Sequence, residues 1–180
     1  SNGIWSEYYE PPVGSGECPS YHAIAMFNED TVINSIKYHK LFRLYDTVLN
    51  RENAEYIGGI REDSAQRVYC RMKSGETTHW WYPSYVNVNE KEEILLYDFS
   101  LEEGDTLYGG NFMLHDDYLV VENIDTVIEN EELRKKYSFE RGWVEWIEGI
   151  GNIRGLLFLS ASLPTNGVNN TLICFKRDGK

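Results

Sequence analysis

The chain has 180 residues, 42% hydrophobic and 26% charged, with only 5 Pro, which suits one domain with a sizeable core and excludes disordered, collagenous and fibrous classes. Its formal charge is −12, from 29 acidic residues against 17 Lys and Arg, and a surface of that sign repels phosphate backbones and anionic headgroups, so nucleic acid and membrane surfaces are not expected partners. A transmembrane helix needs about 20 apolar residues; the longest apolar stretch is the broken run Gly155-Leu156-Leu157-Phe158-Leu159.

The opening Ser1-Asn2 reads as the remnant of an expression tag, so the start of the chain says nothing about targeting. Aromatic residues make up 14% of the chain, with 13 Tyr and 5 Trp, and β-branched residues cluster in short segments between Gly, Asn, Asp and Glu, the composition of strands separated by turns. In chain order, a strand, a tight turn at Asn34-Ser35 and a return strand are expected over 30–42. Further strands follow at 56–60, 66–72 and 94–99, with Gly58-Gly59 and Gly109-Gly110 read as turn or bulge glycines. Within 67–72, Val68, Cys70 and Met72 fall on one face and Arg67, Tyr69 and Arg71 on the other. A second hairpin is expected over 125–137, turning at Glu129-Asn130. Residues 131–137 lack the apolar stripe of a helix and read as turn plus strand, with Arg134, Lys135 and Lys136 on a solvated strand edge. Strands at 146–150, 156–159 and 171–175 complete the list.

The segment 30–42 aligns without a gap on 125–137, sharing Asp-Thr-Val-Ile, and Tyr56-Ile57-Gly58-Gly59-Ile60 is echoed by Trp146-Ile147-Glu148-Gly149-Ile150. Internal duplication, with halves about 30–100 and 125–176, and convergence of short hairpins both account for the match, and both give the same strands. The expected fold is therefore mainly β: a single domain over 1–180, an antiparallel meander of about ten strands. A sheet that wide curls into a barrel or splits into a two-layer sandwich.

Several runs together carry a family likeness: Ile60-Arg61-Glu62, Leu95-Leu96-Tyr97-Asp98-Phe99-Ser100-Leu101, Gly104-Asp105-Thr106, Asp125-Thr126-Val127, Leu172-Ile173-Cys174-Phe175 and, most specifically, Trp146-Ile147-Glu148-Gly149-Ile150-Gly151. From about Asp30 onward the chain resembles a family of uncharacterised exported β-rich proteins and domains of Bacteroidota, often lipoproteins or modules ahead of a secretion-sorting domain. The resemblance implies export to the cell envelope or beyond and carries no catalytic residues to transfer.

Motifs for chemistry are sparse. The three cysteines, Cys18, Cys70 and Cys174, form no CxxC pair and no complete disulfide framework, and Cys70 and Cys174 read as buried free thiols in apolar strands. The four histidines lack metal-ligand spacing, and His115-Asp116-Asp117 reads as an acidic turn before a strand, so no metal and no cofactor are expected. There is no nucleophile elbow and no phosphate loop. A carboxylate pair acting on polysaccharide is the alternative enzyme reading, and a structural envelope module is another. The segment Thr78-His79-Trp80-Trp81-Tyr82-Pro83-Ser84-Tyr85 stands out: it either caps the core or presents flat rings to a ligand. Trp80, Trp81, Tyr82 and Tyr85 are accordingly the expected contacts of a non-catalytic binding module for a glycan or a small apolar molecule.

Overall fold

The computed structural model describes residues 2–11, 18–45, 50–73, 93–108, 118–140, 144–157 and 169–177. Within them the chain forms thirteen strands, a 3-10 turn at Arg51–Asn53 and no α-helix, in two curled antiparallel sheets. The larger sheet contains β1 (Asn2–Glu10), β2 (Ser20–Phe27), β3 (Asp30–Ile33), β4 (Ile36–Leu44), β5 (Glu55–Glu62), β6 (Arg67–Met72), β7 (Ile94–Asp98) and β13 (Asn169–Arg177). Its order is β13-β1-β2-β4-β5-β6-β7, and β3 continues the edge of β4 that β2 begins, past a break at Asn28. The smaller sheet is a pure meander of β8 (Thr106–Tyr108), β9 (Tyr118–Glu129), β10 (Glu132–Phe139), β11 (Glu145–Ile147) and β12 (Gly151–Asn152). The larger sheet departs from the meander at one place. Strand β13 returns to pair with β1.

The core lies between the sheets. Alternation on β1 turns Gly3, Trp5, Glu7 and Tyr9 inward, and Trp5 joins Ile24, Leu41, Ile57, Cys70 and Met72 from the other strands of the sheet. Against them the smaller sheet sets Val121, Tyr137, Phe139 and Trp146. Trp146 presents its ring edge-on to Tyr97 and Phe139, with centroids 5.2 and 4.6 Å apart, an arrangement that pairs a positive ring edge with a negative ring face. The Tyr137 hydroxyl donates to the Phe99 carbonyl at 2.7 Å, tying β10 to the end of β7. A separate cluster of Ala23, Ala25 and Leu44 packs on the outer face with Ile4, Phe27 and Ala54.

Several expectations change in detail. Both hairpins form, but the second turns at Asn130-Glu131, one residue later than the sequence match places it. Asn34, Ser35, Asn130 and Glu131 all have positive φ, the two-residue geometry that matches strand twist. With the turns superimposed, Asp30 falls on Thr126. The shared Asp-Thr-Val-Ile is therefore out of phase by one, and since a strand alternates faces at every residue the two copies present opposite sides: Val32 and Ile128 are the exposed members. Arg134 is not on a solvated edge, because β10 runs between β9 and β11; its guanidinium is buried, donates to the Glu148 carbonyl at 2.8 Å and pairs with Glu132. Of the two readings of Gly58-Gly59, turn or bulge, the structure has the second: both sit inside β5, beside the register shift at Ile57, and the bare Gly59 lets the Tyr38 ring lie across the strand. Leu156 and Leu157, expected in a strand, are buried in a turn. The three cysteines are free thiols; Cys70 is fully buried and Cys174 half-buried. Burial pushes the Cys70 thiol up, out of reach of thiolate chemistry.

Candidate functional site

At one end of the core the two sheets part around a cavity of about 250 Å³. Its floor is set by β1. The Trp5 indole folds back over Gly3, where even a single carbon would approach ring atom Cη2 to 2.6 Å, so only glycine leaves room for that ring. Trp5 Nε1 donates to the Ile150 carbonyl at 2.6 Å, which satisfies the one polar atom of the buried ring and fastens it to the turn after β11. Phe175 of β13 lies beside it, centroids 5.1 Å apart, and Met26 of β2 flanks Gly3. The far wall is formed by Val68, by the stacked Tyr97 and Phe99 rings, and by Gly149-Ile150-Gly151. The motif Trp146-Ile147-Glu148-Gly149-Ile150-Gly151 thus divides its work: Trp146 fills the core and the last three residues line the cavity. The cleft's charged and basic residues are His39 and Arg61, half-buried, and Glu62 and Arg177, exposed at the mouth.

One wall residue, Leu156, is held by a buried polar clasp. Glu7, facing inward from β1 and 4% exposed, accepts the Leu156 N–H at Oε1 (3.0 Å), and at Oε2 meets Asn170 Nδ2 (3.1 Å) and His22 Nε2 (3.0 Å). Tyr97 closes the other side by donating its hydroxyl to the Leu156 carbonyl at 2.5 Å, and burial pushes its pKa far up, so that it stays a donor. Gly155 has φ +137, a region closed to L side chains, and a Cβ there would meet the Glu7 carboxyl at 2.5 Å. Two other strands, β2 and β13, and a turn converge on the one Glu7 side chain.

A second polar cluster lies on the outer face of the larger sheet. Glu93 accepts a two-pronged bond from Arg61 (2.7 and 2.6 Å) and one from the Tyr38 hydroxyl (2.5 Å). Burial alone raises a carboxyl, but these donors outweigh it and hold Glu93 below the ordinary range. The cluster is a brace between β4, β5 and the start of β7.

The expected contacts Trp80, Trp81, Tyr82 and Tyr85 lie outside the described residues, as do His79, His115-Asp116-Asp117, Gly109-Gly110 and Trp143. His22 belongs to the clasp, while His39 binds Asp30 through Nδ1 at 2.7 Å, so the two described histidines serve different places. Trp5, Glu7, His22 and Asn170 were not singled out in the sequence. The signal for the first two is the alternation Gly3, Trp5, Glu7, Tyr9, which a carboxyl at an inward position disguises. Compared with protein-family models, curated proteins and solved structures, the chain matches none of them.

Proposed function

We propose that the protein is an exported, non-catalytic binding module that takes a small, mainly apolar molecule into the cleft between its two sheets. The cleft carries this reading: Trp5, Phe175, Tyr97, Phe99 and Val68 floor and wall it, and its exposed lining residues, Gly149 apart, are the polar Asn2, Glu62 and Arg177, a mainly apolar lining with a few polar groups, as in small-molecule sites in general. An apolar cavity of about 150 Å³ accepts benzene. On that scale 250 Å³ suits roughly ten to twelve non-hydrogen atoms. Between the two ligand classes considered, the apolar molecule is favoured, because a glycan requires exposed stacking rings and hydrogen-bonding walls. A hydrolase with two carboxylates has less support, since Glu62 is the one carboxylate among the described lining residues. Export rests on the resemblance carried by the Trp-Ile-Glu-Gly-Ile-Gly run, whose final three residues line this same cleft.

Titration with 3-phenylpropan-1-ol, followed through the Trp5 indole N–H resonance, tests the reading. A saturable shift of that resonance is expected in the wild type, and its loss in Val68→Trp, which fills the cleft from a half-buried position in its far wall. If the folded wild type shows no shift up to the solubility limit of the alcohol, the cleft is not a binding site.

A further inference from the structure

We infer that the ligand is an amphipathic acid, its apolar body in the cleft and its carboxylate paired with Arg177 at the mouth. The inference rests on the cleft reading above and adds the chemistry of the head group. Direct pairing of Gly3 with Arg177 and of Trp5 with Phe175 puts Arg177 on the inward face of β13, one step beyond the Trp5 and Phe175 rings. Residues directly opposite in an antiparallel pair share a face, and Gly3 contributes no side chain to fill the space beside the guanidinium.

The other basic side chains of the lining are already committed. Arg61 is bound through two nitrogens to Glu93, and His39 is bound to Asp30. The Arg177 guanidinium has no hydrogen-bonded or ion-paired partner among the described residues, and the inward positions beside it on β1, β2 and β13 are Gly3, Trp5, Met26 and Phe175, none of them acidic. A guanidinium offers a fork of donors that matches a carboxylate. The cleft also has a polarity. Glu62 stands on β5, on the opposite flank of the cleft from Arg177, with β1, β2 and β4 between them in the sheet order. It disfavours an acid on its own flank and turns the head group toward β13.

Three probes with one apolar body separate the alternatives: 3-phenylpropanoate, 3-phenylpropan-1-ol and 3-phenylpropan-1-amine, each titrated by calorimetry and by the Trp5 indole resonance. The acid is expected to bind about five- to ten-fold more tightly than the alcohol in dilute buffer, with the advantage shrinking as salt is added. In Arg177→Gln the acid falls to the affinity of the alcohol and the alcohol is unchanged. Arg177→Lys, which keeps the charge without the fork, lies between. Arg177 is exposed, so the melting temperatures of both variants stay at the wild-type value. Equal affinities for acid and alcohol, a preference for the amine, or an equal loss for both ligands in Arg177→Gln overturns the acid assignment and leaves the cleft standing. No binding by any of the three overturns the cleft reading and this inference together.

Discussion

Replacing Glu7 by Ala removes the acceptor on which the clasp converges. The Leu156 N–H and His22 Nε2 lose the bonds they make to it, while Asn170 Nδ2 keeps its second acceptor, the Arg154 carbonyl at 2.6 Å. A buried donor left without a partner costs about 1–3 kcal/mol, and the missing side chain adds a small cavity, so the variant loses roughly 3–5 kcal/mol. For a domain of this size that lowers the melting temperature by about 10 °C. Glu7→Gln keeps the shape but has one oxygen, which serves either Leu156 or the His22 and Asn170 side, so about 1–2 kcal/mol is lost. Calorimetry measures the shifts, and native-state hydrogen exchange locates them. The Leu156 amide should exchange far faster in both variants while amides in the middle of β4 and β5 keep their protection, because opening is local to the clasp. A Glu7→Ala protein that melts within 2 °C or so of the wild type, with Leu156 still protected, would refute the reasoning.

Trp146→Ala should lower stability by about 3–5 kcal/mol, seen as a lower denaturation midpoint at unchanged slope in urea; a loss under about 1 kcal/mol contradicts the placement of its ring among Tyr97, Phe99 and Phe139. Ser35→Gly and Glu131→Gly each relieve an L side chain at positive φ (65° and 66°) and should stabilise by roughly 0.5 kcal/mol; destabilisation by both would mean that the turns are not as described. Burial first, then the nearby Glu148 and Asp98, pushes the Tyr137 hydroxyl up to about 12, whereas an unfolded tyrosine ionises near 10. The folded state therefore holds its proton more tightly, and this contribution is whole below pH of about 10 and is lost as pH rises toward 12. Alkaline melting curves should show a steeper fall for the wild type than for Tyr137→Phe, and identical curves would dismiss the effect.

The parts of the fold legible in the sequence are those where polarity follows burial. Residues 67–72 read as a strand because Val68, Cys70 and Met72 alternate with Arg67, Tyr69 and Arg71, and they form β6 with the first set toward the core. Asn at the first turn position marked both hairpins, although a tetrapeptide identity pulled the second turn one residue out of place. That error is physical: in a two-sided sheet, matching letters cannot tell one face from the other. The candidate site was less legible for the opposite reason. On β1 the inward set is Gly3, Trp5, Glu7 and Tyr9, so a carboxyl and a bare glycine occupy core positions and the pattern breaks where the clasp and the cleft floor need it to. Arg134 is the converse case, since a charged triplet suggests solvent and the buried guanidinium is explained by the Glu148 carbonyl and the Glu132 carboxylate that it binds.

The contacts that join β1 to the rest of the molecule also decide when it finishes folding. Trp5 and Ile150 are 145 residues apart, Glu7 and Leu156 149, and Glu7 and Asn170 163. Loops of that length close slowly, and all-β domains ruled by such pairings reach the native state in milliseconds to seconds. On a ribosome the first strands emerge long before β13, so β1 waits as an unpaired edge with its inner face uncovered. An apolar strand left in that state recruits other chains. Glu7 sits in the middle of the waiting face, and a carboxyl there acts as a gatekeeper against intermolecular pairing. The same side chain later closes around Leu156 and Asn170, so the position that most weakens the core pattern protects the nascent chain and then locks the finished one.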